Sequence, residues 1–207
     1  MIDSYDALTL GVYMRVNEVI ESEADDLDKQ VRIIAILSGK TVDEVLLLPI
    51  ADYAQMAAKT AFLREHCKPT EIKEDWQYED LVPVTDFRQI NVAQYIDFQT
   101  FSKSFPKSMP ELLSVFLVPQ GCVYNEQYDV AAVVERVKQL PFADALGLSA
   151  FFFGRLAQSI EDSLTSWASA MRRTRNKRKR MQMQREMMKR IEEVEALLRS
   201  AGAGLQM

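Results

Sequence analysis

Residues 142–200 contain no proline, and between Gly154 and Gly202 there is no glycine. An interior proline costs a helix about 3 kcal/mol and an interior glycine about 1 kcal/mol, so nothing in that interval forbids one continuous helix. The segment opens apolar with Ala150-Phe151-Phe152-Phe153 and becomes mixed. It then carries Arg172-Arg173-Thr174-Arg175-Asn176-Lys177-Arg178-Lys179-Arg180 and closes on a Met- and Leu-bearing amphipathic stretch. One end suits a core and the other suits a partner.

A chain of 207 residues can build one sizeable domain, or a compact domain with an appendage. Hydrophobic residues at 48% and charged residues at 27% are ordinary for a globular protein and argue against disorder. Only 7 Gly and 7 Pro favour helices over a turn-rich all-β fold. The net charge of -5 hides an asymmetry. Residues 172–190 hold ten Lys/Arg against Glu186 alone, a local charge of +9. Residues 1–171 hold 14 Lys/Arg against 26 Asp/Glu, a charge of −12. An acidic body with a basic segment attracts its own kind, an acidic protein or nucleic acid.

Cys67 and Cys122 are isolated and lack CxxC spacing, which predicts two reduced thiols. Met1-Ile2-Asp3-Ser4-Tyr5-Asp6 has neither a basic nor an apolar leader region, so no signal peptide is expected. The longest apolar run, residues 143–153, contains Asp144 and falls short of the ~20 residues a bilayer span needs. These features predict a soluble intracellular protein with no membrane contact.

Taken in order, Thr9 caps a helix, the first apolar-periodic segment, one face of which is marked by Leu10, Tyr13, Met14, Val16, Asn17 and Ile20. A second helix, about residues 27–37, has Val31, Ile34, Ala35 and Leu37 inward and Gly39 at its left-handed C-cap. Thr41-Val42-Asp43-Glu44 is a capping box opening a short helix. Pro49 starts the next helix, which carries Ile50, Tyr53, Met56 and Ala57 to about His66. Residues 67–90 read as an irregular connection with a short strand at Leu81-Val82-Pro83-Val84, held to an edge or bulge by Pro83. Asn91 caps a helix whose apolar residues are Val92, Tyr95, Ile96, Phe98 and Phe101. Residues 102–110 form a loop, and Pro110 starts a buried helix over residues 111–118. Asp129 caps a helix with Val130, Val133, Val134, Val137 and Leu140, which Pro141 ends.

The fold expected is mainly α: a compact multi-helix domain with a small irregular or β connection and a long C-terminal helix projecting from the body. Its parts are an N-terminal helical subdomain (1–66), the connection (67–90), a second helical subdomain (91–171) and a basic, Met-rich arm (172–207).

Chemistry is harder to find. His66 is the only histidine, and a zinc site needs three or four ligands. Its neighbour Cys67 is badly placed for a dyad, because adjacent helical residues face apart. Ser38-Gly39-Lys40-Thr41 imitates the end of a phosphate-binding loop, but Ile34 stands where the first glycine belongs. No catalytic residue, cofactor or metal is expected. On a helix, the basic run places charge all round. It is either a solvated joint or a dock for nucleic acid or an acidic protein through Arg172, Arg173, Arg175, Lys177, Arg178, Lys179 and Arg180. Beyond it, Met187, Ile191, Val194 and Leu198 form one apolar stripe about two heptads long, too short for an isolated coiled coil. That stripe either folds back onto the body or binds a partner, and the basic block separating it from the core favours a partner.

Two groups of segments carry a family resemblance. Leu8-Thr9-Leu10-Gly11-Val12-Tyr13, Ile34-Ala35-Ile36-Leu37-Ser38-Gly39 and Val45-Leu46-Leu47-Leu48-Pro49-Ile50-Ala51-Asp52-Tyr53 resemble the tail assembly chaperones of tailed bacteriophages. Asn91-Val92-Ala93-Gln94-Tyr95-Ile96-Asp97-Phe98-Gln99 and Leu117-Val118-Pro119-Gln120-Gly121 are similar to larger proteins of this kind from Bacteroidetes phages. The resemblance implies a non-enzymatic helical protein of the host cytoplasm that binds the tape measure protein during tail assembly. The alternative is a virion structural or packaged protein whose basic helix contacts DNA or an acidic neck or portal ring. Self-association through the C-terminal helix is a further expectation.

Overall fold

A computed structural model describes residues 1–173 and, beyond them, residues 181, 182, 185, 188, 189 and 192. Among these the chain is mainly helical, with eight α-helices and one two-stranded sheet. It divides into two units, Met1–Glu71 with Ala131–Gly147, and Ile72–Val130 with Leu148–Met207.

In the first unit, α1 (Leu10–Glu21) starts where the Thr9 hydroxyl accepts the Val12 N–H, the cap its sequence announces. α2 (Asp26–Ser38) is capped by Asp25, and its expected inward face, Val31, Ile34, Ala35 and Leu37, is buried throughout. It stops at Gly39, whose φ of 69° only glycine adopts without strain. The Thr41–Glu44 capping box opens α3 (Val42–Leu46), and α4 (Ile50–Lys59) follows directly after Pro49. Val31, Ile34, Ala35 and Val45 form a core cluster against which Leu48, Tyr53, Met56 and Ala57 pack. The expected continuation of α4 to His66 instead tightens into a 3-10 turn at Thr60–Arg64.

The chain-order division places residues 91–171 in one subdomain, whereas Ala131–Gly147 groups with Met1–Glu71 in space. Backbone bonds between segments about 130 residues apart account for this. The Leu10 N–H donates to the Leu140 carbonyl at 2.9 Å, Gly11 N–H to Lys138 at 2.8 Å and Phe142 N–H to Leu8 at 2.8 Å. The approach is close enough that a Cβ on Gly11 would lie 3.1 Å from both the Cβ and the carbonyl oxygen of Lys138. α7 (Val130–Val137) buries Val133 and Val137. At the start of α8 (Phe142–Arg173) the Phe142 ring stacks on Tyr13, with centroids 3.7 Å apart.

The second unit is built on aromatic packing. Phe116, at the end of α6 (Met109–Phe116), has Phe87, Phe98 and Phe152 around it at centroid distances of 4.9, 5.4 and 5.1 Å. Phe98 comes from α5 (Val92–Phe101) and Phe152 from α8. Of the apolar triplet in α8, Phe152 and Phe153 are buried, while Phe151 is half-buried under the Arg155 guanidinium. Arg155 also pairs with Glu74.

α6 ends two residues earlier than expected. Leu117–Pro119 is a strand, β2, antiparallel to β1 (Leu81–Pro83), with Val82 opposite Val118. Pro119 disfavours helical backbone in the residue before it, and the edge of Leu81–Pro83 offers those residues partners. Gln120 N–H donates to the Asp80 carbonyl and Val84 N–H to the Phe116 carbonyl, both at 2.8 Å. Antiparallel pairs alternate, so Pro119 (opposite Leu81) and Pro83 (opposite Leu117) stand at non-hydrogen-bonded pairs. Two prolines thus sit in this sheet without losing a ladder bond.

α5 divides its apolar residues between core and solvent. Phe98 is buried with Gln94 beside it, whereas Val92, Tyr95 and Ile96 are exposed.

Candidate functional site

The corner between α3 and α4 puts apolar side chains in solvent. Val45 turns into the core cluster and Leu48 packs against it. In a helix of five residues, that leaves the intervening positions facing out. Leu46 is 63% exposed, Leu47 85% and Ile50 81%. Seven of the ten residues of α4 are apolar, yet none is buried. Tyr53, Met56 and Ala57 lean on the core, while Ile50, Ala51, Ala54 and Ala58 lie on exposed positions. A helix with apolar residues on both faces has one face left over for something else.

Acidic groups edge this corner. Asp43, Glu44 and Asp52 are exposed, and residues 41–58 contain no Lys or Arg. The Glu44 carboxylate accepts the Thr41 N–H at 2.6 Å and the Thr41 hydroxyl at 2.9 Å. These two bonds, the backbone one first, hold its carboxyl below the usual range and fix a negative charge at the start of α3.

A second apolar face lies on α5. Val92 is 75% exposed, and Tyr95 and Ile96 join it at steps of three and four residues. The Gln99 amide donates to the Tyr95 hydroxyl at 2.8 Å. The chain at Tyr124 is tied to this helix by Asn91 Nδ2 donating to the Tyr124 carbonyl and by the Tyr124 hydroxyl donating to Asp97 at 2.9 Å.

Of the residues expected to bind a partner, Arg172 and Arg173 are the last two of α8. Arg175, Lys177, Arg178, Lys179, Arg180, Met187, Ile191, Val194 and Leu198 lie outside the described residues. Within the same segment, Met181, Arg185, Met188, Lys189 and Glu192 are helical and exposed, and they line an open concavity of about 420 Å³. Met181, Arg185, Met188 and Glu192 recur at steps of four, three and four, one helical face.

His66 is exposed and Cys67 half-buried. Burial, then the Asp6 carboxylate, pushes the Cys67 thiol above its ordinary range, opposite to the shift that activates a nucleophile. Among the described residues, no group of three or more His, Cys, Asp or Glu is placed to hold a metal ion, and no helix is long and apolar enough to cross a membrane. Ser38-Gly39-Lys40-Thr41 is the C-cap of α2 running into the N-cap of α3.

The apolar corner escaped the sequence reading because Val45-Leu46-Leu47-Leu48 resembles a core run. A signal was present: four consecutive apolar residues on a helix of one to two turns cannot all face one way. No family model matches the chain, and no curated protein or solved structure matches it either.

Proposed function

We propose that this chain is a non-enzymatic assembly chaperone of the phage-tail type, which holds a tape measure protein on exposed helical faces. The observation that carries this is the α3–α4 corner, where Leu46, Leu47 and Ile50 stand in solvent on helices anchored by an intact core. Chaperones of long, aggregation-prone partners need apolar surface that is folded yet unspent. Both exposed faces fall inside the segments that resemble the family, Val45 to Tyr53 and Asn91 to Gln99. The protein would act in the host cytoplasm and leave before the virion is complete.

The +9 segment at residues 172–190 favours one other reading, a virion protein that contacts DNA or an acidic ring protein. Two measurements separate them. Co-expression with the tape measure protein of the same phage should give a complex, and Leu47→Asp with Ile50→Asp should abolish it. Substitutions at such exposed positions shift stability by only about 0.5 kcal/mol, so the loss would not report unfolding. Mass spectrometry of purified virions should then find the chain absent. Stoichiometric presence in mature particles overturns the chaperone reading and supports the other.

A further inference from the structure

We infer that the acid-edged apolar corner of α3 and α4 receives the basic, Met-bearing C-terminal segment of a second copy of this chain. The two surfaces complement each other in three respects. The corner offers Leu46, Leu47 and Ile50 with the small exposed residues Ala51, Ala54 and Ala58 of α4 beside them. Small side chains let a second helix axis approach closely, and the flanking leucines and isoleucine supply apolar area to cover. The segment offers Met181 and Met188, seven residues apart and both about half exposed (49% and 48%). Methionine suits such a surface because its unbranched side chain adapts to the shape it meets.

Charge selects the pairing. Residues 41–58 hold Asp43, Glu44 and Asp52, against the exposed Lys40 and Lys59 at either end, and residues 172–190 hold ten cations with one acid. Arg185 and Lys189 stand next to the two described methionines, with Glu192 the one acid on that face, so the groups flanking the apolar ones are net positive where those at the corner are acidic. Such complementarity raises the association rate and excludes acidic competitors. Every copy carries one donor segment and one acceptor corner at equal concentration. The contact therefore joins two different surfaces, and it is met either reciprocally in a closed pair or head to tail in successive copies. This inference goes beyond the proposed function: a second copy covers the corner until the tape measure protein displaces it, and because sedimentation is run without that protein, either reading can fail without the other.

Sedimentation velocity on the full chain, treated with nuclease and run at several concentrations, tests it. The wild type should sediment heavier than a monomer at about 0.05 M salt and dissociate near 0.5 M, where exposed charges are screened over about 4 Å. Reversing the segment (Lys177→Glu, Arg178→Glu, Arg180→Glu) or the corner (Asp43→Lys, Asp52→Lys) should each weaken association by about tenfold or more. Combining the two reversals should restore it. Leu47→Ser with Ile50→Ser provides a corner variant without charge change, and circular dichroism confirms that each variant is folded. Cross-links between ¹⁴N and ¹⁵N copies should join the segment of one chain to the corner of another. A wild type that is monomeric at every concentration overturns the inference. So do association that survives the corner variants, a double reversal that restores nothing, or loss of DNA retention alone on reversing the segment.

Discussion

The Gln94 side-chain amide donates to the Val115 carbonyl at 2.9 Å from a position where only 5% of the residue is exposed. The same side chain accepts the Asn91 N–H at 3.0 Å through its other end, while Asn91 accepts the Gln94 N–H at 2.8 Å. One glutamine thus completes the capping box of α5 and satisfies a carbonyl of α6.

Replacing Gln94 by Leu keeps the volume and removes both bonds. The Val115 carbonyl then stays buried without a donor and the Asn91 N–H loses its partner, so the expected loss is about 2 kcal/mol. Urea unfolding with an unchanged m-value checks it. A variant as stable as the wild type would mean that water or another donor reaches the carbonyl.

Phe116 carries the packing of the second unit, with three aromatic rings around it and 1% of its surface exposed. Phe116→Ala should cost about 3–5 kcal/mol, against less than about 1.5 kcal/mol for Phe116→Leu if the neighbours close in. Thermal melts of the two variants give the ranking.

Alkaline pH should destabilise the fold through its tyrosines. Burial pushes Tyr5 and Tyr128 up to about 12 from an ordinary 10.0. Burial first, and then donation to Asp97, raises Tyr124 as well. The folded chain holds these phenol protons more tightly than the unfolded chain does. Their contribution is therefore complete below pH 10 and is lost as pH rises through the folded values. Spectrophotometric titration should show late-ionising phenols, and the urea midpoint should fall between about pH 10 and about pH 12. Tyr124→Phe should reduce that fall.

What could be read from the sequence was local. Thr9, Gly39, the Thr41–Glu44 box and Asn91 each act within four residues of themselves, and each performs the expected role. The inward face of α2 was equally legible, because its polar residues leave one face apolar. α5 was not. Its sequence has apolar residues on several sides, and only the position of Val115 decides that Gln94 turns in while Val92, Tyr95 and Ile96 turn out. β2 depends likewise on Leu81–Pro83, more than thirty residues earlier, which no periodicity within Leu117–Pro119 reveals. At the candidate site, the acids and the basic run were visible as composition. The exposure of Leu47 and Ile50 was not, since it depends on where α2 and Val45 place the core.

The backbone bonds from Leu8, Leu10 and Gly11 to Phe142, Leu140 and Lys138 decouple the order of synthesis from the order of completion. A nascent chain makes α1 to α4 first, yet the backbone that α1 binds does not exist until all of Ile72–Val130 has been made. The first unit is thus begun first but closes only when Ala131–Gly147 emerges, while the intervening Ile72–Val130 still awaits Phe152 of α8. A fragment ending before residue 131 would carry α1 without its partners, however faithfully it kept the helices. For this chain, the N-terminal half in sequence is not a separable half in folding.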